Sequence, residues 1–530
     1  MTGRLTRREL LTRAGVGAAA LGAGSLLAAA GRSPAEAQPV RGGVIHVATN
    51  AEPGTIDWQA STATATRLVA WHFAEGLFAL DRNYEVRPLL AEGYAVSPDQ
   101  LRYTIRLRRG IRFHTGQAMT ADDAVASLER WGRLSSGGRE TFKFVKALRK
   151  IDDHTIEIDL SRVFTPLLTN LGDPKQSAVI MPASVASSAG ERPATEYIGT
   201  GPYMFKEWTP GQRIVLVRNP AYVSRTENWG GITGRKVAYA DEIHFFFVAD
   251  PQVRLDGIST GQYDFAVELA QDMYPRVESN RALTADIVRV FSWPAAVFNK
   301  AQGVFADQRL RQAAQYALKP ADLMAAAYGP RTFWQLDPGL FFPEQKGLYT
   351  TAGSEIYNHQ NLERARALMK EAGYSGQPVT LMCTKDYTWN YNAAQVLVPE
   401  LQAVGFNANL QVYDWPTLLS RRTKKDLYDV FLTGFSPSID PTAVIFFGSS
   451  WPGWYKSEAM DALLARWSET PITDAAARKA LMDRIQTTFY TEVPVAKFGN
   501  GFGLEAYNNQ HLHGYTSYFD VRFWNVWVTR

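Results

Sequence analysis

Residues 361–433 decide the fold and read NLERARALMKEAGYSGQPVTLMCTKDYTWNYNAAQVLVPELQAVGFNANLQVYDWPTLLSRRTKKDLYDVFLT. Asn361 is a typical N-cap for an amphipathic helix, and Gly373 ends that helix. A β-branched apolar run at 379–383 predicts a strand. Leucine and valine at helical spacing then predict a second helix that Gly405 stops.

The rest of this stretch repeats the pattern. Strands are predicted at 408–413 and 428–433, with a short helix after Pro416 between them. A β-α-β-α-β series implies a parallel sheet with right-handed crossovers. We therefore expect an α/β protein whose ligand crevice lies beyond the carboxyl ends of the strands.

Two regions outside this stretch extend the α/β pattern. Residues 43–49 and 101–107 alternate like strands, and turn-prone residues follow both. Thr120 is placed to cap a helix whose first turn carries Asp122 and Asp123, where acids oppose the positive end of the helix dipole.

Length and composition restrict the class of protein. At 530 residues with 46% hydrophobic positions, the chain exceeds what one core usually supports, so two or more lobes are expected. Cys383 is the single cysteine, which excludes an internal disulfide, a CxxC redox pair and a cysteine zinc cage. The lobes must therefore be stabilised by packing.

The charge of the chain is concentrated at its start. The net charge is +4, but residues 1–37 hold five basic and two acidic side chains, so the remainder is almost neutral. A nearly neutral body with interspersed charges offers no footprint for nucleic acid. We expect no nucleic-acid partner.

Residues 1–37 have the pattern of a secretory leader. A cationic segment, 4–13, precedes an uncharged stretch at 14–30, and Ala35-Glu36-Ala37 predicts cleavage before Gln38. The run TRRELL at 6–11 resembles a twin-arginine signal, with an ordinary Sec leader or a retained membrane anchor as alternatives. No cysteine follows for a lipid anchor, so we expect a soluble periplasmic protein.

Several longer blocks carry a family resemblance. LAEG at 90–93, LRYTIRLRRGIRFHTG at 101–116 and TADD at 120–123 are similar to one long signature, and GTGPY at 199–203 and DQRLRQA at 307–313 to further blocks. In these motifs the chain resembles the extracytoplasmic solute-binding proteins of the dipeptide, oligopeptide and nickel class, family 5, which serve ABC importers.

The resemblance implies an architecture and partners. It implies a type II, large cluster C-like binding-protein fold whose two lobes hinge shut on a solute. The first lobe would comprise 38–290 plus 486–530, with an inserted subdomain at about 60–180, and the second lobe 291–485. The partners would be an inner-membrane permease and its ATPase subunits. A monomer without cofactor or catalytic activity is expected.

Three strand-end loops, 50–53, 384–390 and 434–440, should face the cleft. Together with an aromatic at a fourth strand end, they supply the candidate ligand-binding residues Asn50, Glu52, Tyr387, Trp389, Asn390, Trp415, Gly434, Phe435, Ser436 and Ser438. The amides at the start of the helix after the second loop are candidates for an anionic group. Trp389 and Trp415 have structural alternatives, since either ring also suits a core position.

The third loop bears on the identity of the ligand. Peptide-binding relatives carry an Asp that pairs with the ligand's ammonium near the position of Ser438, whereas Asp440 belongs to a turn of the family. A hydroxyl is a poor substitute for a carboxylate opposite a desolvated ammonium. Glu52 or Asp386 would have to supply the charge. The resemblance still implies a peptide or peptide-like solute, and the missing carboxylate puts a free amino terminus in doubt. An opine, a modified sugar or a metal chelate is the alternative.

The sequence offers weaker signals for a hydrolase and for a metal site, and none for ATP hydrolysis. Gly434-Phe435-Ser436 begins like a nucleophile elbow but lacks its second glycine, so a periplasmic hydrolase is a weaker alternative. His511-x-His513 is the only close histidine pair and has no carboxylate companion, which disfavours a metal site. No GxxxxGK[ST] motif is present, so ATP hydrolysis belongs to a partner.

Overall fold

The computed structural model describes residues 38–529, so the predicted leader at 1–37 lies outside the described residues. The strands of the described part are β1 (Val44–Thr49), β2 (Phe78–Leu80), β3 (Val86–Pro88), β4 (Ala91–Val96), β5 (Arg102–Leu107), β6 (Val145–Asp152), β7 (Thr155–Leu160), β8 (Tyr203–Thr209), β9 (Arg213–Arg218), β10 (Glu242–Phe247), β11 (Phe265–Leu269), β12 (Leu283–Phe298), β13 (Trp334–Gln335), β14 (Pro378–Thr384), β15 (Asn407–Tyr413), β16 (Val430–Phe435), β17 (Val495–Lys497), β18 (Asn500–Asn508), β19 (Leu512–His513) and β20 (Trp527–Val528).

The α-helices of the same residues are α1 (Thr64–Ala70), α2 (Ala121–Leu134), α3 (Ser136–Phe142), α4 (Leu167–Leu171), α5 (Ala183–Ala189), α6 (Pro251–Thr260), α7 (Tyr274–Ser279), α8 (Gln308–Ala317), α9 (Pro320–Tyr328), α10 (Leu362–Glu371), α11 (Thr388–Val404), α12 (Trp415–Arg421), α13 (Glu458–Glu469) and α14 (Ala475–Glu492). Between residues 38 and 529, no helix is both long and apolar enough to span a bilayer.

One large sheet runs through the molecule. Its strand order is β15-β14-β16-β12-β18-β11-β1-β10-β9-β8, with β13 added to β18 and β17 added to β12. The two long strands β12 and β18 are antiparallel and connect the two halves of the sheet. We call the half containing β1, β8 to β11 and β18 the first lobe, and the half containing β14 to β17 the second lobe.

The parallel arrangement predicted for 361–433 is confirmed. β14 pairs in parallel with both β15 and β16. The side chain of Asn361 accepts the backbone N–H of Arg364 at 2.8 Å, as expected of an N-cap. Helix α11 ends at Gly405 with a φ of 112°, a backbone conformation that a side chain disfavours.

The lobes have separate apolar cores. The first-lobe core gathers around β1, β10 and β11, and includes Ile45, Phe245 and Phe265. The second-lobe core includes Trp293, Phe431, Trp467 and Phe489. A third cluster follows one face of the sheet through both lobes, from Ala48 to Leu381. Each half of the sheet therefore folds around its own side chains but shares one face with the other half.

A subdomain is inserted after β1. Its sheet has the order β4-β5-β7-β6, and its apolar cluster runs from Leu77 to Ile180. Helix α2 packs on this sheet, and its predicted start at Thr120 is confirmed. The backbone N–H and the hydroxyl of Thr120 both donate to the Asp123 carboxylate, at 2.8 and 3.0 Å. We propose that the subdomain corresponds to the insertion expected at about 60–180.

The return of the chain to the first lobe comes later than the sequence suggested. The boundary expected between residues 485 and 486 falls inside α14, whose Phe489 and Tyr490 pack in the second-lobe core. Strand β17 still pairs with the second-lobe end of β12. We propose that the second lobe ends near Lys497 and that β18 carries the chain back, because a helix with a continuous apolar face is not divided between two cores.

Candidate functional site

The three predicted loops begin at strand ends of the large sheet. They follow the carboxyl ends of β1, β14 and β16, and β16 ends at Phe435, which pairs with Trp293 in the crossing strand β12. Just before this point the β12–β18 ladder skips from Val288 to Ser292. The third loop therefore begins beside the segment that joins the lobes.

In the first loop, the two candidates are already engaged. Asn50 donates to the Glu268 carboxylate at 2.5 Å. Glu52 is exposed, but its carboxylate accepts the Trp208 indole N–H at 2.8 Å and the Gly211 backbone N–H at 3.1 Å. Glu52 therefore fastens the β8–β9 turn, which makes it a poor replacement for the missing ammonium partner.

The second loop is shorter than expected because α11 already begins at Thr388. Asn390 is completely buried, accepts the Thr384 backbone N–H at 3.0 Å and donates to the Leu432 carbonyl at 3.1 Å. Its amide thus connects β14 to β16. Sequence reasoning placed Asn390 in the loop because the loop offers no residue typical of an N-cap.

Trp389 has a more open position. Its ring is half-buried, lies parallel to that of Tyr328 with centroids 6.4 Å apart, and covers Gly434. A Cβ added to Gly434 would lie 2.9 Å from the Ser292 hydroxyl and 3.4 Å from the Trp389 ring. A side chain at position 434 would therefore crowd the Ser292 hydroxyl, whereas its distance from the Trp389 ring would be an ordinary van der Waals contact.

Tyr387 and Trp415 form a pair at the edge of the second lobe. Their rings meet edge to face with centroids 5.2 Å apart, and Tyr387 is 43% exposed. Trp415 packs against the second-lobe core, and its backbone N–H donates to the Asp386 carboxylate at 2.6 Å. Asp386 thus helps to start α12 and is no longer an unengaged charge.

The third loop reaches across the gap between the lobes. Phe435 is buried against Trp293, whereas Ser436 is exposed. The carbonyl of Ser438 accepts from the Gln345 amide at 2.6 Å. The hydroxyl of Ser438 has a long 3.4 Å contact to the Asp440 carbonyl. The next residue, Ile439, packs in the first-lobe core although its loop belongs to the second lobe.

Asp440 closes this loop, as its assignment to a turn predicted. It is buried and accepts the Thr442 backbone N–H at 2.9 Å and the Trp467 indole N–H at 2.9 Å. Burial raises the pKa of Asp440 above its ordinary value, and these hydrogen bonds oppose the shift. Its carboxylate is committed to the fold.

Sequence reasoning missed a group of four carboxylates in the first lobe, which we call the acidic wall: Glu268, Asp286, Glu505 and Asp520. Burial raises the pKa of Glu505 well above its ordinary value, and the other three carboxylates raise it further. Burial also raises the pKa of each of the other three. These residues lie far apart in sequence, so no local motif marks them.

Tyr515 and Arg67 contact the acidic wall. The Tyr515 hydroxyl lies 3.2 Å from Asp286 and 3.3 Å from Glu505, and its one proton serves one of them at a time. Arg67 donates to Asp520 at 2.5 Å, and both side chains are nearly buried. The first lobe therefore contains a buried cluster of carboxyl groups, and burial favours their protonated form.

The weaker alternatives find little support. Residues 436–438 have no regular structure, so the strand-to-helix turn of a nucleophile elbow does not follow Phe435. His513 contacts the Thr529 hydroxyl at 2.7 Å, and His511 lies 3.6 Å from Asp264. Across residues 38–529, no group of three or more His, Cys, Asp or Glu side chains is arranged to hold a metal ion.

Comparison with known proteins decides the family. Residues 85–455 match the model of the bacterial extracellular solute-binding proteins, family 5, middle region. The chain belongs to this family. As a family 5 solute-binding protein it is 30% identical to a probable peptide ABC transporter periplasmic-binding protein of Sinorhizobium fredii, over 85% of this chain and 87% of the relative.

Solved structures of the same family confirm the expected fold. A periplasmic binding protein of Helicobacter pylori, in complex with the peptide STSA, superposes with a TM-score of 0.74 at 22% identity, covering 93% of this chain and 99% of that one. A binding protein of A. tumefaciens R10 in complex with agropinic acid gives 0.73 at 22% identity, covering 92% and 99%. This family 5 protein has their two-lobe α/β architecture.

Proposed function

We propose that this family 5 protein captures a peptide or peptide-like solute between its lobes and delivers it to the permease of an ABC importer. The observation that carries the proposal is the third loop, which starts in the second lobe and buries Ile439 in the first-lobe core. A solute bound beside Ser438 would contact both lobes at once. Such two-lobe contact is what favours a closed form over an open one.

The chemistry of the cleft supports a division of roles. Trp389, Tyr387 and the exposed Ser436 offer a stacking face and a hydroxyl, and Asn50 and Ser438 offer polar groups from opposite lobes. We propose these five as ligand contacts, with Gly434 under the Trp389 ring. Phe435, Asn390, Trp415 and Glu52 then support the site through the contacts described above.

The solute is proposed to be a peptide because the relative from Sinorhizobium fredii carries that assignment and the Helicobacter pylori protein holds a peptide. An opine remains the second candidate, since the A. tumefaciens protein of equal similarity holds agropinic acid. The neutral Ser438 favours a solute whose amine is blocked or is paired by another residue, because an ammonium desolvated beside a hydroxyl alone lacks a counter-charge.

The further parts of the proposal follow the family. The mature protein would act in the periplasm as a monomer after export by the twin-arginine route, without a lipid anchor. It would carry no cofactor and leave its solute chemically unchanged. ATP hydrolysis and translocation would belong to the permease and its ATPase subunits.

A binding assay with product analysis tests this function. Purified protein is heated with STSA, with N-acetyl-STSA and with agropinic acid, and each solute is then recovered for mass spectrometry. We expect at least one of them to raise the melting temperature and to be recovered intact. Native mass spectrometry of protein taken from its own periplasm would identify a retained solute. Consumption of a bound solute would instead establish an enzyme.

A further inference from the structure

Thr165 of the subdomain forms hydrogen bonds with the second lobe. Thr165 lies between β7 and α4, beside Phe164 and Leu167 of the subdomain core, and is itself buried. Its backbone N–H donates to the carbonyl of Ser468 at 2.7 Å, and its hydroxyl donates to the carbonyl of Trp467 at 3.3 Å. Both acceptors belong to the second lobe.

These two carbonyls are at the end of a helix. Trp467 and Ser468 lie in the last turn of α13, where carbonyl groups have no partner within the helix or share a single one. Thr165 therefore caps the C-terminus of α13 from the other lobe. Separation of the lobes would return the Ser468 carbonyl to water, so the contact favours the closed arrangement without requiring any solute.

Arg478 strengthens the same contact from within the second lobe. Its guanidinium lies 3.6 Å from the centroid of the Trp467 ring and donates to the Thr470 carbonyl at 3.1 Å and the Thr165 hydroxyl at 3.4 Å. A cation stacked on an aromatic ring at the negative end of a helix is favourably placed. The side chain thus holds the acceptor end of α13 ready for Thr165.

The contact is connected to the proposed ligand loop. The indole N–H of Trp467 donates to the buried carboxylate of Asp440, the residue that ends the third loop directly after Ser438 and Ile439. A movement of this loop would therefore displace Trp467, whose own carbonyl and that of the next residue, Ser468, both accept from Thr165.

We propose that Thr165, Trp467, Ser468 and Arg478 form an inter-lobe clasp, and that the Asp440–Trp467 bond couples the clasp to the third loop. The clasp rests on the proposed closure of the two lobes but not on the identity of the solute. It differs from the ligand site because it joins the subdomain to α13 through groups that no solute needs to touch.

Matched variants test the clasp in solute-free protein. Trp467→Phe removes the bond to Asp440, and Thr165→Val removes the hydroxyl contacts. Trp131→Phe is the control, because the Trp131 indole makes a similar 2.8 Å bond to the Gln176 carbonyl wholly within the first lobe. We expect the first two to speed amide exchange at Thr165 by about fivefold, the equivalent of one net hydrogen bond, and to enlarge the radius of gyration in solution scattering. Unchanged exchange and scattering in both would overturn the proposal.

A cross-link provides a second measurement if either variant folds poorly. Thr165→Cys combined with Ser468→Cys places two thiols on a hydrogen-bonded pair, and the buried Cys383, whose pKa burial raises to about 11, stays unreactive. Oxidation should form the disulfide and fix the scattering profile in its compact form, and reduction should release it. Failure to cross-link would contradict the clasp. Binding of STSA or agropinic acid by the reduced protein reports on the proposed function separately.

Discussion

The acidic wall of the first lobe and the aromatic groups of the second lobe differ in chemistry. The first-lobe wall is ionic, with the acidic wall and Arg67, and its carboxylates are held at raised pKa values by burial and by one another. The second-lobe wall is aromatic and neutral, with Trp389 resting on Gly434 and the serines of the third loop beside it. The contrast indicates that the first lobe keeps buried carboxyl groups at a cost in stability, whereas the second lobe presents an accessible aromatic ring and hydroxyl groups.

The largest effect should come from removing the main cation of the first-lobe wall. Arg67→Met leaves the buried Asp520 without its partner at 2.5 Å, so we expect a loss of about 3–5 kcal/mol in the free energy of unfolding. Urea unfolding followed by tryptophan fluorescence measures it. Arg102→Met is the control, because the Arg102–Asp159 pair is largely exposed and should contribute below about 1 kcal/mol. Equal losses of stability in the two variants would show that the Arg67–Asp520 pair contributes no more than an exposed ion pair.

The aromatic wall is tested by Trp389→Ala. Loss of a half-buried ring at the proposed contact surface should weaken solute binding by about 10- to 100-fold. Calorimetry measures it, with whichever of STSA, N-acetyl-STSA and agropinic acid raises the melting temperature of the unmodified protein. Trp454→Ala is a matched control, because Trp454 is also half-buried and stacks on another tyrosine. The ring centroids of Trp454 and Tyr428 are 6.0 Å apart, and Tyr428 lies just before β16. A similar weakening in both variants would point to a general loss of packing in the second lobe.

A carboxylate can also be introduced into the neutral third loop of the second lobe. Ser438→Asp places a carboxylate on the third loop, and we expect it to improve binding of STSA over N-acetyl-STSA by about tenfold, since charge-assisted bonds add roughly 1.5–3 kcal/mol. Ser436→Asp, in the same loop, is the control. No change in the preference between the two peptides would place the ligand's amine elsewhere in the cleft.

The smallest effect should come from replacing Glu505, a buried carboxyl group of the acidic wall. The raised pKa of Glu505 means that the folded state holds this proton to a higher pH than the unfolded state, so stability falls as pH rises above the ordinary glutamate pKa. Glu505→Gln should therefore raise the free energy of unfolding by about 1 kcal/mol at pH 7 and flatten its decline between pH 5 and 8. A steeper decline in Glu505→Gln would contradict the assignment.

The sequence predicted the second lobe better than the cleft. Strands β14 to β16 and their helices were predicted within a few residues, because capping residues, glycine stops and apolar spacing are local signals. The start of α11 was missed because Tyr387 makes no side-chain cap, so Trp389 and Asn390 were assigned to a loop. The ring of Trp389 nevertheless remains accessible, whereas the amide of Asn390 is fully used by the strands.

The first-lobe wall was beyond local reasoning. Glu268 and Asp286 precede Glu505 and Asp520 by more than two hundred residues, and only the pairing of β12 with β18 and the return of the C-terminal segment bring them together. The predicted charge candidates, Glu52 and Asp386, were plausible loop acids that fasten neighbouring backbone instead. Long-range pairing, not composition, decides which carboxylates face one another.

The skipped ladder between β12 and β18 has a mechanical consequence. Three residues of β12, 289–291, stand opposite Phe502 alone, while the pairing on either side, at Val288 and at Ser292, is intact. Extra residues on one strand interrupt the ladder, and a strand bends more easily at such an interruption than where its pairing is continuous. We therefore expect the two lobes to rotate about these three residues. The backbone would then fix the axis of rotation before any solute binds.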